Sequence, residues 1–346
     1  MIKYSIKRIL VAIIISIMIP NVIFGYYISH RNYKSDVISS ENNIFYSYAL
    51  QDSTRLTKQN LNDLGEIDSL DLTVLSDNYP NGELSTQWGL SILVETNNLT
   101  VLIDTGQSYS TLSENSLSLN KNLNEVDFVV ISHQHVDHIG GLSYVAEVNP
   151  GVTVYVPYLI DNQIFNSINQ SNLNVIKINE TTIIQQGFAI LGELNGPPYE
   201  QALVVNVKDV GLVSFVGCSH PRVENLIEKA STDLGYNPYI VIGGFHMLAA
   251  NEQQIKDTIE RLFELGIKKI FPIHCSGDLF REYMSEHYPR QYGKGNVGFQ
   301  LTINKLTMNP IDPLLITYYI LIPVIIIVLT VLTGWFIRKK IVVKRA

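Results

Sequence analysis

Six residues, His133-Gln134-His135-Val136-Asp137-His138, constrain this chain more than any other stretch. They follow 126–131, a short and mostly apolar run of the kind that forms a buried strand. In extended backbone, residues of equal parity face one side. His133, His135 and Asp137 therefore converge, and His138 enters from the turn that starts the next helix. Imidazole nitrogens and a carboxylate are the donors that Zn²⁺, Mn²⁺ or Fe²⁺ bind. Four such residues within six positions, at the mouth of a buried strand, are poorly explained as a chance polar loop. The chain must fold so that this strand end opens into a cleft.

The surrounding pattern is rich in strands. Strands are predicted at 71–75, 90–95 and 99–103, the last two joined by the hairpin signal Thr96-Asn97-Asn98. Strands follow at 153–157, 174–179 and 187–193, with a helix near 158–168. A second hairpin, 201–208 with 211–217, turns at Asp209-Val210-Gly211. Helices at about 221–231 and 251–266 then alternate with strands at 239–242 and 269–273. The second helix places Ile255, Ile259, Leu262 and Phe263 on one face. Hairpins and intervening helices together suit an α/β (α+β) domain of about 70–306, with two sheets between helices.

Other chemistry-bearing residues also lie just past strand ends: Asp104 in Leu102-Ile103-Asp104-Thr105-Gly106, and Gly217-Cys218-Ser219-His220. Gly243-Gly244-Phe245-His246 and His274-Cys275-Ser276-Gly277 complete the set. Strand ends on one edge of a layered fold can meet at one cleft. The two cysteines, Cys218 and Cys275, could pair outside a cell. Each sits beside a histidine, so a metal-site or structural thiol is equally open. Glu200, just before a strand, could reach the pocket, but reads better as a solvated acid.

His133-x-His135-x-Asp137-His138 resembles the signature of the metallo-β-lactamase superfamily, and Leu102 to Gly106 looks like its first motif. With Gly89-Leu90-Ser91 and the three later motifs, the chain resembles the subfamily that contains dihydropterin ribofuranosyl-aminobenzene phosphate synthases. The likeness covers about 70–306 and implies a four-layer αββα sandwich. It further implies one or two divalent metals, zinc foremost, with Mn or Fe as alternatives. By resemblance, His133 and His135 bind one metal and Asp137 and His138 a second. His220 and His274 look like the later histidine ligands, one per metal. Asp104 would orient a ligand histidine from behind, and Asp137 is the candidate for handling a proton. A bridging Asp commonly follows a late-strand glycine in the superfamily, whereas Gly217 here precedes Cys218. That thiol is either a ligand or a buried structural group. His246 could line the pocket, bind metal weakly, or simply pack at a strand end, and Cys275 reads as structural.

The chain ends have a different texture. Ile9 to Ile28 and Leu314 to Ile337 carry no charged residue. A hydrocarbon core of roughly 30 Å needs about 20 apolar residues in a helix. The sequence thus predicts transmembrane helices at about 9–28 and 314–337, within terminal segments 1–34 and 307–346. Residues 35–69 read as a polar stalk. A cleaved signal peptide is the alternative for the first run, but 22–25 offers no small-x-small site. Lys3, Lys7 and Arg8 precede one run, and Arg338, Lys339, Lys340, Lys344 and Arg345 follow the other. This predicts cytoplasmic termini and an extracytoplasmic catalytic domain in a two-pass cell-membrane protein. All 32 acids fall between the basic flanks. So acidic a domain argues against a nucleic-acid partner, whose phosphates need basic surface.

The expectation is therefore a membrane-anchored metallo-hydrolase using a metal-activated water on an ester or phosphoester of a small or cell-envelope substrate. A membrane-anchored metal-binding sensor without turnover is the alternative, and a di-iron oxidoreductase ranks third. No serine nucleophile elbow or P-loop competes.

Overall fold

Seven strands form the first sheet: β1 (Leu70–Ser76), β2 (Ser91–Glu95), β3 (Thr100–Ile103), β4 (Phe128–Val130), β5 (Thr153–Pro157), β6 (Asn174–Ile178) and β15 (Gln300–Ile303). Their spatial order is β15-β1-β2-β3-β4-β5-β6. The second sheet holds β7 (Thr182–Gln185), β8 (Phe188–Ile190), β11 (Leu203–Val207), β12 (Gly211–Val216), β13 (Pro238–Gly243) and β14 (Lys269–Pro272), ordered β14-β13-β12-β11-β8-β7. A short ribbon pairs β9 (Leu194–Asn195) with β10 (Tyr199–Glu200). The computed structural model describes residues 63–308 and 322–343. The first range lies in one compact unit, Asn60–Asn309, and the second in another.

Side-chain alternation along the strands creates three apolar layers. Val101 and Ile103 of β3 and Val213 and Phe215 of β12 fill the core between the sheets. Leu102 and Val129 point the other way, against Leu112, Val145 and Ile168. Those three belong to helices α1 (Tyr109–Ser118), α3 (Leu142–Val148) and α4 (Asn162–Asn169), while α2 (Val136–Ile139) is a single turn. The second sheet packs Val216 and Val241 against α5 (Val223–Leu234), α6 (Glu252–Glu264) and α7 (Asp278–His287). The domain is thus layered helix, sheet, sheet, helix. Each fully buried aliphatic side chain contributes roughly 1.5–3 kcal/mol to holding those layers together.

Strand direction positions the site. β3, β4, β5 and β6 run parallel, as do β12, β13 and β14. Their carboxyl ends therefore emerge together, and ligands in open parallel sheets gather beyond those ends. The loops there are packed backbone to backbone. A Cβ on Gly140 would meet the Gln107 carbonyl at 2.0 Å, and one on Gly141 the Thr105 carbonyl at 2.2 Å. Only glycine lets the histidine loop close on the Asp104 loop so tightly.

Two expectations need correction. Residues 63–69, read as the end of a stalk, pack onto the domain. Leu64 is 2 % exposed, its carbonyl accepts from the Gly187 amide, and Ile67 bridges to Val207. The rest of the stalk and the span at 9–28 fall outside the described residues. At the other end, α8 (Lys305–Met308) is followed in the separate unit by α9 (Ile322–Val343). Among the described residues no helix is long and apolar enough to cross a membrane. The flanking transmembrane helices, the two-pass placement and the envelope-facing substrate inferred from it are withdrawn.

Candidate metal centre

His133 and His135 follow the end of β4, and His135, in extended backbone, stands just before α2, which carries Asp137 and His138. The loop after β12 brings His220 to the same place. His133, His135 and His220 form one group whose donor atoms lie within 4.8 Å of one another. His133 Nε2 stands 3.2 Å from His135 Nδ1. The His133 and His220 rings are 4.6 Å apart.

A second group joins Asp137, His138, Cys218 and His274, all buried. Asp137 Oδ2 lies 3.5 Å from His138 Nε2 and 3.3 Å from His274 Nε2. Cys218 Sγ is 3.2 Å from His138 Nε2. The third grouping, Cys218 with His220 and His246, places His246 at the exposed rim, its ring 4.6 Å from that of His220.

Two nitrogen or oxygen donors about 2.0–2.1 Å from a tetrahedral cation stand about 3.3 Å apart. The separations in both groups match that spacing. His274 Nε2 supports the same conclusion. It is buried and has no hydrogen-bond partner, its 3.3 Å approach to Asp137 being poorly directed. A cation would satisfy it, and an unsatisfied buried nitrogen is otherwise costly. The residues present therefore fit one or two divalent ions.

The opposite nitrogens of these rings are held from behind, as metal-binding imidazoles require. His138 Nδ1 pairs with Asp104 Oδ2 at 2.6 Å, and His220 Nδ1 with Glu200 Oε2 at 2.9 Å. His133 Nδ1 meets Ser132 Oγ at 3.0 Å, and Ser132 Oγ in turn donates to Asp104 at 2.7 Å. His274 Nδ1 stands 3.2 Å from Asn78 Oδ1, while its backbone amide donates to Asp77 at 2.8 Å. Asp104, Ser219, His246 and His274 all adopt left-handed backbone, with φ of 50° to 60°. Such strain is concentrated where functional side chains must be aimed.

Charge is tuned by the same neighbours. Burial holds His133 well below the usual imidazole value, and adjacent imidazoles add to the effect. His133 is thus neutral, with a lone pair available. Burial also lowers His138, but the Asp104 carboxylate outweighs it and raises His138 to about 8. Burial works against ionising Asp137, yet His274 and His138 bring it down to about 2. Cys218 is pushed up by its hydrogen bond with Cys275 and by burial.

Several contributions were not visible in the sequence. Glu200, read as a solvated acid, is fully buried and accepts from the amides of Ser219 and His220 as well as pairing with the His220 ring. Asp77, Asn78 and Trp88 carried no motif. Trp88 is 42 % exposed, with its ring 4.9 Å from that of His274. Cys275 Sγ turns toward backbone, 3.6 Å from the Cys218 carbonyl and 3.3 Å from the His246 amide.

Residues 89–199 match the family model of the metallo-beta-lactamase superfamily. The chain is 28 % identical over 284 residues to the 7,8-dihydropterin-6-methyl-4-(beta-D-ribofuranosyl)-aminobenzene-5'-phosphate synthase of Methanocaldococcus jannaschii, covering 66 % of this chain and 97 % of that one. A solved metal-dependent hydrolase of the beta-lactamase superfamily is similar with TM-score 0.59 and 24 % identity, covering 68 % of this chain and 99 % of that one. A metallo-beta-lactamase fold protein from Bacillus subtilis gives TM-score 0.53 and 15 % identity, over 68 % and 100 % of the two chains. The resemblance read from the motifs holds.

Proposed function

We propose, from the premise that this domain has the metallo-β-lactamase fold, that the chain is a metal-dependent hydrolase of an ester or phosphoester in a small molecule. The observation that carries the proposal is the pair of adjoining donor groups, each drawing side chains from both sheets. In this reading His133, His135 and His220 hold one cation, and Asp137, His138 and His274 the other. A bound divalent cation, zinc foremost, supplies Lewis acidity, enough to let water ionise near neutrality. Asp137 stays ionised across the neutral range and offers a negative donor between the His138 and His274 rings. Asp104 is a positioning residue: it fixes the His138 ring and never reaches the cleft.

The substrate reading rests on two supports. Trp88 offers an exposed flat face beside His274, suited to a planar or apolar group next to the bond that breaks. The named archaeal relative is a synthase of a compound with pterin and aminobenzene rings and a phosphate ester. A ring-bearing phosphoester is therefore the first class to try.

The test is turnover by the full chain, loaded with Zn²⁺ or Mn²⁺, of aryl phosphodiesters, aryl phosphomonoesters and lactones. His135→Ala should lower kcat/KM by more than about 100-fold, because even partners behind a ligand are worth 10–100-fold. Tight metal binding with no turnover of any class would favour a metal-binding module instead. Absence of metal binding would sink both readings.

A further inference from the structure

Cys218 belongs to two of the three donor groups, and through His220 it adjoins the third. It shares one with Asp137, His138 and His274, and another with His220 and His246, every donor atom in each lying within 4.8 Å of the rest. Its sulfur stands 3.2 Å from His138 Nε2, and the opposite nitrogen of that ring is already committed to Asp104 at 2.6 Å. The residue is 4 % exposed. A thiol serving only to fill space has no reason to sit among five polar donors. Cys275 plays a different part: its sulfur hydrogen-bonds the Cys218 thiol and lies against backbone groups, and it belongs to none of the donor groups.

We propose that Cys218 is a shared ligand whose sulfur bridges the two cations. The inference rests on the two-cation reading above and adds its connecting atom. As the sulfur–metal bonds form, the thiol S–H bond is lost and its proton passes to solvent. A thiolate bridge makes the pair softer than an all-oxygen bridge would, favouring zinc, cobalt or cadmium over magnesium or manganese.

Cobalt(II) titration of the metal-free full chain tests this, because a cobalt–thiolate bond gives a charge-transfer absorption in the near ultraviolet that imidazole and carboxylate do not. The unaltered chain should take up about two cobalt ions and develop that absorption. Cys218→Asp, which keeps an anionic donor, should bind about two ions with the absorption gone. Cys218→Ala should retain about one. Cys275→Ala should keep the absorption. If Cys218→Ala does not fold, by circular dichroism, Cys218→Asp carries the test. Two bound ions without the absorption in the unaltered chain would overturn the bridge and leave the metal site standing. Absorption surviving in Cys218→Asp would assign the sulfur to Cys275 and also overturn it. No cobalt uptake would overturn both the bridge and the proposed function.

Discussion

Asp77 sits at the end of β1, buried against the second donor group, where it accepts from the amides of His274 and Tyr79 at 2.8 and 3.1 Å. Burial raises its carboxyl to about 6. The folded-state value lies above the ordinary 3.8, so the group favours folding below about pH 4. That contribution is lost as pH rises through 6. Above it, the ionised carboxylate costs on the order of 2–3 kcal/mol at 1.36 kcal/mol per pH unit. Asp77→Asn keeps only one of the two acceptor oxygens, so it loses one amide hydrogen bond at either pH. In metal-free protein its stability relative to the unaltered chain should nevertheless be about 2–3 kcal/mol more favourable at pH 8 than near pH 4. Urea denaturation at the two pH values in chelator checks this; equal shifts at both would contradict it. Asp77 and Asn78, together just past β1, and Glu200, in the short strand β10, escaped the sequence reading for one reason: neither stretch gathers more than one acid. A single acid beside a strand looks like surface until the fold buries it. The His133–His138 run was legible because four donors are crowded into one local stretch, whose backbone geometry already aims them together.

At the scale of elements, α6 shows what local sequence determines. Ile255, Ile259 and Leu262 recur at helical spacing and are buried. Asn251 and Gln254 form a reciprocal capping box at its start. Asn251→Ala removes an acceptor for an otherwise unpaired helix amide and should cost about 1 kcal/mol. Because α6 stands behind the second sheet, metal content should be unchanged. Denaturant melts beside metal analysis would reveal any coupling between the two. By contrast α1, the ten residues Tyr109–Ser118, was not predicted, since its four serines are poor interior helix formers. Tertiary bonds hold it: Asn115 Nδ2 donates to the carbonyls of Leu75 and Ser85, both at 2.8 Å. The parallel runs β3–β6 and β12–β14 were readable as apolar strands, but their pairing into separate sheets was not, because register is decided by partners far away in the chain.

For the whole molecule, the uncharged run 314–337 was read as a span, yet among the described residues no helix is long and apolar enough to cross a membrane. The domain, with its three apolar layers, carries a prediction of its own. Ions that bind only the folded form stabilise it by mass action, about 2.7 kcal/mol per site when free metal is 100-fold above Kd. Calorimetry of the full chain should show a melting temperature raised by Zn²⁺ and lowered by chelator, with most of the rise gone in His135→Ala. A melting temperature indifferent to metal would contradict the paired site.

The donors come from two leaves of the molecule. His133, His135, Asp137 and His138 follow the first sheet, while Cys218, His220 and His274 follow the second. A chain emerging from the ribosome amino end first owns only half a clasp until residue 274 has been made and the leaves have closed on each other. The ion is then a late arrival that locks a finished body. Its presence should slow the parting of the leaves far more than it hastens their meeting.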